Sequence, residues 1–136
     1  MKQILVVDND DGTVEAIAEL LRDAGYIAFT ATTGEQALAM IRCSRPDMLL
    51  LDMFMPVVDG WQVLAALAHD PQLARMPKVA MTAWPLPIDL PPGVMLLRKP
   101  FEWEALARLI RNATRPTLPR LPRDLESSRG VVLTAH

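Results

Sequence analysis

Four places in this chain put a chemically capable side chain at the end of a short apolar run. Asp8-Asn9-Asp10 follows Ile4-Leu5-Val6-Val7, and Asp52 follows Met48-Leu49-Leu50-Leu51. Thr82 follows Val79-Ala80-Met81, and Lys99 comes after Val94-Met95-Leu96-Leu97 with only Arg98 between. If these runs are neighbouring strands of a parallel sheet, up to three carboxylates, a hydroxyl and an ammonium converge in one shallow cleft. Acids crowded in this way repel one another and are most easily satisfied by a hard divalent cation with oxygen ligands. Mg²⁺ is the expected ion, because it keeps several waters and binds through one or two carboxylates plus a phosphate.

The elements that must position these residues are legible in the same pattern. A fifth apolar run, Tyr26-Ile27-Ala28-Phe29, lies between the first two. Runs that are continuous rather than alternating suit strands buried on both faces of a parallel sheet. Between them the periodicity turns helical. Val14, Ile17, Ala18 and Leu21 share one face, and Gly25 stops that helix. Thr33 caps a second helix, with Gln36 at the capping-box position and Leu38 and Ile41 inward. Gly60–Ala68 forms a third, and Trp103, Leu106, Ile110 and Ala113 mark a last one. Strands alternating with helices imply right-handed crossovers and an α/β doubly wound sheet. Such sheets bind ligands at the carboxyl ends of their strands, which is where the four sites fall.

Composition sets the outer bounds. A chain of 136 residues, half of them apolar and with a net charge of −2, is enough for one domain with a single core. No apolar run approaches the ~20 residues of a membrane span, and with a strand pattern starting at Ile4 no signal peptide is expected. Cys43 is the lone cysteine, which excludes an intramolecular disulfide and fits a reducing cytoplasm. Only four of the fourteen basic side chains lie beyond Thr114, alongside two acids, too small an excess for a nucleic-acid surface. Residues 1–114 therefore form the domain. Residues 115–136, with Pro116, Pro119 and Pro122 at intervals of three, form a Pro- and Arg-containing tail expected to be poorly ordered.

The stretches ILVVDND, LLLDMFMPVVDGW, DPQLARMPKVAMTA and LLRKPF, in this order and spacing, resemble the receiver domain of two-component response regulators over residues 1 to about 114. The resemblance implies a flavodoxin-like sheet of five parallel strands in the order 2-1-3-4-5. It also implies that Asp52 is the phosphoacceptor, attacking a phosphohistidine of a histidine kinase or histidine phosphotransfer protein, with a carboxylate as nucleophile. Asp8 and Asn9 stand where the family holds Mg²⁺, and the main-chain carbonyl of Phe54 is a further ligand beside Asp52. Thr82 supplies the hydroxyl that closes on the phosphoryl group and Lys99 the balancing ammonium. The Lys99–Pro100 bond is expected to be cis.

Two departures from the family bear on the site and its output. Asn9 replaces an acid, so weakened Mg²⁺ binding is expected, with Asp10 compensating only if its loop turns it inward; its simpler role is an N-cap. WPLPIDLPPG, Trp84 to Gly93, holds four of the twelve prolines where a fourth helix belongs. One proline inside a helix costs ~3 kcal/mol, so a Pro-rich loop is expected instead. Leu96 also occupies the place of the family's aromatic switch residue. Trp84, Leu86 and Ile88 are expected to fill the vacated groove rather than present a partner surface. Trp103 is expected in the core, Cys43 to be inert and His69 at the surface.

The resulting expectation is a stand-alone, cytoplasmic receiver that signals through an unidentified partner protein, with no nucleic-acid or membrane partner and no enzymatic role beyond its own Mg²⁺-dependent phosphorylation and dephosphorylation. The alternative is a receiver-like interaction module acting without phosphorylation. The joint presence of Asp52, Thr82 and Lys99 weighs against it. A phosphatase with an Asp nucleophile is disfavoured, because Phe54 stands where its second Asp would be.

Overall fold

The computed structural model describes residues 2–85 and 87–114, so the expectations for Leu86 and for the 115–136 tail lie outside the described residues. Five parallel strands run β1 (Gln3–Val7), β2 (Ile27–Ala31), β3 (Met48–Asp52), β4 (Lys78–Thr82) and β5 (Met95–Arg98), in the sheet order β2-β1-β3-β4-β5. The helices are α1 (Asp11–Asp23), α2 (Gly34–Ser44), α3 (Gly60–Leu67), α4 (Pro71–Arg75) and α5 (Trp103–Thr114). This is the doubly wound sheet that the pattern predicted, in the flavodoxin-like order that the resemblance implies.

Alternation along the strands explains the continuous apolar runs. Leu5, Val7, Leu49, Leu51 and Ala80 face the side covered by α2 and α3. Ile4, Val6, Met48, Leu50, Val79 and Met81 face the side covered by α1 and α5. Each fully buried Leu, Ile or Val contributes about 1.5–3 kcal/mol, so both faces of the central strands anchor the edge where their carboxyl ends emerge. Leu106 and Ile110 of α5 lie in the second cluster, with Trp103 partly buried against it.

Local chemistry fixes the helix starts. The Asp10 carboxylate accepts from Gly12 N (3.2 Å) and Thr13 Oγ1 (2.8 Å) and so caps α1. Thr33 Oγ1 accepts from Gln36 N at 3.0 Å, but the Gln36 side chain reaches past the cap to Thr32 N (3.0 Å). The reciprocal capping box lies at α3 instead, between Asp59 and Gln62. The short α4, unanticipated from periodicity, has Asp70 as its N-cap and Pro71 in its first turn, a helix-starting pair in the sequence. Lys78 holds its other end: Nζ donates to the carbonyls of Leu73 (2.8 Å), Ala74 (3.0 Å) and Met76 (2.8 Å). Burial pushes this ammonium below the ordinary lysine value.

No helix joins β4 to β5 among the described residues of that connection, 83–85 and 87–94. Ile88, Leu90 and Val94 pack partly buried against the α2–α3 side of the core, which is the groove-filling expected of the Pro-rich loop. A groove of about 310 Å³ remains between this loop and α3, bordered by Trp61, Leu64 and Pro91. Trp84 departs from the expectation: it is 49% exposed and lies at the carboxyl edge of the sheet, not in the groove.

One loop residue is held against its preference. Val57, in the β3–α3 loop, has φ 69° and is 86% exposed, so no packing compensates a β-branched residue in the left-handed region. Val57→Gly is expected to raise the free energy of unfolding by about 1 kcal/mol, read as a higher urea midpoint with unchanged m-value. A midpoint at or below that of the parent would show that the loop carries no such strain.

Candidate functional site

Sheet order brings the four strand ends together. Val7 pairs with Leu51 and Asp52 with Met81, so Asp8, Asp52 and Thr82 emerge side by side. Thr82 pairs with Arg98, and Lys99 N donates to Thr82 O at 2.8 Å, placing Lys99 one step past the sheet. The Lys99–Pro100 bond is cis. Asp8 is 1% exposed, Asp52 6% and Thr82 0%. Lys99 Nζ bonds Asp8 Oδ2 and stands 3.9 Å from Asp52 Oδ2. The ammonium therefore rests on Asp8 and only faces Asp52.

One turn type organises three of the four strand ends. Asp8 Oδ1 accepts from Asp10 N at 3.0 Å, Asp52 Oδ1 from Phe54 N at 3.2 Å and Thr82 Oγ1 from Trp84 N at 2.9 Å. Short side chains that accept from the amide two residues on make tight local turns. These bonds leave Asp52 Oδ2 free of the Phe54 amide and leave the Thr82 hydroxyl hydrogen available to donate.

Asp52 is held above the ordinary carboxylate range. Burial is the largest cause; the Lys99 charge and the Phe54 N–H oppose it, and the negative charge of Asp8 adds to it.

Of the up to three carboxylates at the strand ends, two converge, and Asp10 takes the capping role expected of it. Asp10 is exposed and engaged in capping α1, and Asn9 is also exposed. Among the described residues no group of three or more His, Cys, Asp or Glu side chains is placed to hold a metal. His69 and Cys43 are both exposed and outside the site.

Two participants escaped sequence reasoning. A pocket of about 270 Å³ is lined by Asp52, Phe54, Ala83, Trp84 and Lys99. Phe54 lines it and is 45% exposed, although only its carbonyl was expected to matter. Trp84 enters because its N–H is drawn to Thr82 and its carbonyl accepts from Arg98. The two rings meet at 5.7 Å between centroids. The signal was the shared spacing, since each aromatic stands two residues beyond a polar strand-end residue.

The carboxyl edge of a parallel doubly wound sheet thus holds two buried carboxylates, a hydroxyl and an ammonium. The family model for the response regulator receiver domain matches residues 4–89, which include Asp8, Asp52 and Thr82 and stop short of Lys99. The chain belongs to the response regulator receiver domain family, whose members are signalling modules of two-component systems rather than enzymes of the usual kind. It is 33% identical over 112 residues to protein Rrf1 of Nitratidesulfovibrio vulgaris, covering 82% of this chain and 81% of that one. It is 32% identical over 114 residues to the probable transcriptional regulator ycf29 of Porphyra purpurea, covering 80% of this chain. The chain spans only about half the length of that relative, 54%. Among solved structures, the receiver domain of the sensor histidine kinase PA1611 from Pseudomonas aeruginosa, with magnesium in its active-site cleft, matches with a TM-score of 0.75 at 27% identity. That match covers 82% of this chain and 95% of the other. No helix among the described residues is long and apolar enough to cross a membrane.

Proposed function

We propose that this receiver takes a phosphoryl group onto Asp52 from a phosphohistidine of a histidine kinase or histidine phosphotransfer protein, and signals in the cytoplasm as a stand-alone module through a partner protein. The observation that carries this reading is the meeting of Asp8, Asp52, Thr82 and Lys99 at one edge of the sheet. Rrf1, most of whose length this chain spans, supports the stand-alone form.

The residues suit a divalent cation. Two buried carboxylates share one ammonium, so a net negative charge remains among hard oxygen donors, and Mg²⁺ asks for only one or two carboxylates. Asp8, Asp52, the Phe54 carbonyl and the Asn9 amide are the residues that would hold it. When bound, Mg²⁺ supplies positive charge to the phosphoryl oxygens.

The chain's own groups divide the remaining work. Phe54 N–H holds Asp52 Oδ1, which orients Oδ2 as the attacking oxygen. Thr82 donates its hydroxyl hydrogen to a phosphoryl oxygen, and Lys99 offsets the charge that moves onto Asp52. These are positioning and electrostatic roles, as phosphoryl transfer requires. Since Thr82 Oγ1 also holds Trp84 N, any movement of Thr82 is felt at once in the Pro-rich loop. With Leu96 in place of an aromatic switch, that bond is the route by which the site reports to its partner.

Incubation with acetyl phosphate and Mg²⁺, followed by intact-protein mass spectrometry, tests the reading. A phosphoryl adduct is expected in the parent chain and none in Asp52→Ala. No Asp52-dependent adduct would return the chain to the class of interaction modules. Asn9→Asp is expected to tighten Mg²⁺ binding about tenfold or less, the effect of one added charge in a partly solvated site; tryptophan fluorescence titration reads it, and equal affinities would remove any role for position 9.

A further inference from the structure

We infer that the Phe54 and Trp84 rings form an aromatic lip that recognises the leaving group of the phosphoryl donor, so that this site favours phosphorylated imidazole over donors without a ring. The inference rests on Asp52 being the phosphoacceptor.

The lip is built and held. Phe54 and Trp84 are two of the few residues lining the pocket over Asp52, and their rings lie 5.7 Å apart at 38°. Phe54 also meets Trp61 edge to face, at 5.1 Å and 75°. Trp61 is fixed in turn, its Nε1 donating to Asp89 O at 2.8 Å. The main chain of Trp84 is tied on both sides, through its N–H to Thr82 Oγ1 and its carbonyl to Arg98. Rings that are already immobilised lose little freedom when a ligand stacks on them. Yet Phe54 is 45% and Trp84 49% exposed, so ring surface remains open at the mouth of a pocket whose floor is polar.

In-line geometry puts the leaving group there. The phosphorus must sit between Asp52 Oδ2 and the departing atom, and Asp52 is at the buried base. The departing atom therefore points outward, toward the mouth that Phe54 and Trp84 line. As the Asp52 Oδ2–P bond forms, the P–N bond breaks and its electron pair stays on the ring nitrogen. A donor ring protonated on its other nitrogen then leaves as neutral imidazole, with no further proton required. A planar heteroaromatic leaving group finds aromatic faces at that point. An amine or an acetate finds none.

The test compares donors with the same P–N bond and differing only in the ring. Second-order rate constants for Asp52 phosphorylation are measured with monophosphoimidazole and with phosphoramidate, in Mg²⁺, for the parent chain, Trp84→Ala, Trp84→Phe and Phe54→Ala. Aromatic pairs are worth about 0.5–1.5 kcal/mol beyond their buried area, so the imidazole-to-amide ratio is expected to fall about three- to tenfold in each alanine variant. Trp84→Phe should restore most of it. The Trp84 N–H to Thr82 is main-chain and survives these changes, and the ratio is measured within each variant, so a general loss of folding cancels. A ratio unchanged in both alanine variants, or both donors slowing in parallel, overturns the lip. Absence of any adduct in the parent chain with either donor overturns the phosphoacceptor reading, and the lip with it.

Discussion

Asp52→Asn is expected to abolish phosphorylation and, in the same protein, to raise the free energy of unfolding by on the order of 1 kcal/mol, the usual scale for relieving a strained functional position. Asp52 and Asp8 are both almost fully buried, and Lys99 is bonded to Asp8 while standing 3.9 Å from Asp52. One ammonium therefore serves two acids. Burial raises the Asp52 carboxyl above its ordinary value, and the Asp8 charge adds to this. The sign follows: within the window between the ordinary and the raised value the folded state binds more protons than the unfolded one, so stability falls as pH rises, and the deficit is complete once pH exceeds the raised value. Asparagine keeps the size and the acceptor oxygen for Phe54 N but removes the charge. Urea denaturation at neutral pH reads the gain, and intact mass reads the lost adduct. Saturating Mg²⁺ should narrow the stability gap, because an ion held by both carboxylates stabilises the parent more than the variant. A variant less stable than the parent would mean that the site is not electrostatically strained.

Gly60→Ala is expected to cost about 3 kcal/mol, the upper range for overpacking. A Cβ at Gly60 would come within 2.6 Å of both Met53 Cα and Met53 Sδ, and 3.0 Å of Asp52 O. The methionine side chain can swing away, but the backbone at the end of β3 cannot. Gly60 N is also bonded to Met53 O at 3.0 Å, so α3 starts directly against the strand that carries Asp52. The added methyl must push α3 away, and Trp61 with it, loosening its contact with Phe54. A lower urea midpoint together with a shifted tryptophan emission is the expected result. Gly12→Ala is the control, since its nearest neighbour is Asp10 Oδ1 at an ordinary 3.6 Å, and its midpoint should move little. Equal effects at the two positions would remove the packing argument.

The order and type of most elements were legible because the core imposes them locally. Central strands buried on both faces must be apolar throughout, so β1, β3 and β4 appear as unbroken runs ending at the expected residues. The edge strands β2 and β5 are less constrained, and they begin one residue later than their apolar runs. Four prolines between Trp84 and Gly93 excluded a helix by backbone chemistry alone. The residue types at the strand ends were equally local, which is why Asp8, Asp52, Thr82 and Lys99 could be named together.

The partnerships among those residues were not local. That Lys99 bonds Asp8, 91 residues away, and only faces Asp52 depends on the height at which β5 leaves the sheet, which no spacing encodes. That Asp10 caps α1 was the simpler expectation, but that its loop therefore leaves only two carboxylates in the cleft was settled by the direction of the helix. Phe54 and Trp84 meet because β3 and β4 are neighbours and end in the same side-chain-to-amide turn. Residue types and spacing by themselves determined a doubly wound sheet with a polar carboxyl edge, because burial and backbone sterics act along the chain. Tertiary structure alone decided which charge rests on which and that an aromatic lip overlooks Asp52, because those contacts depend on how separate strands are set side by side.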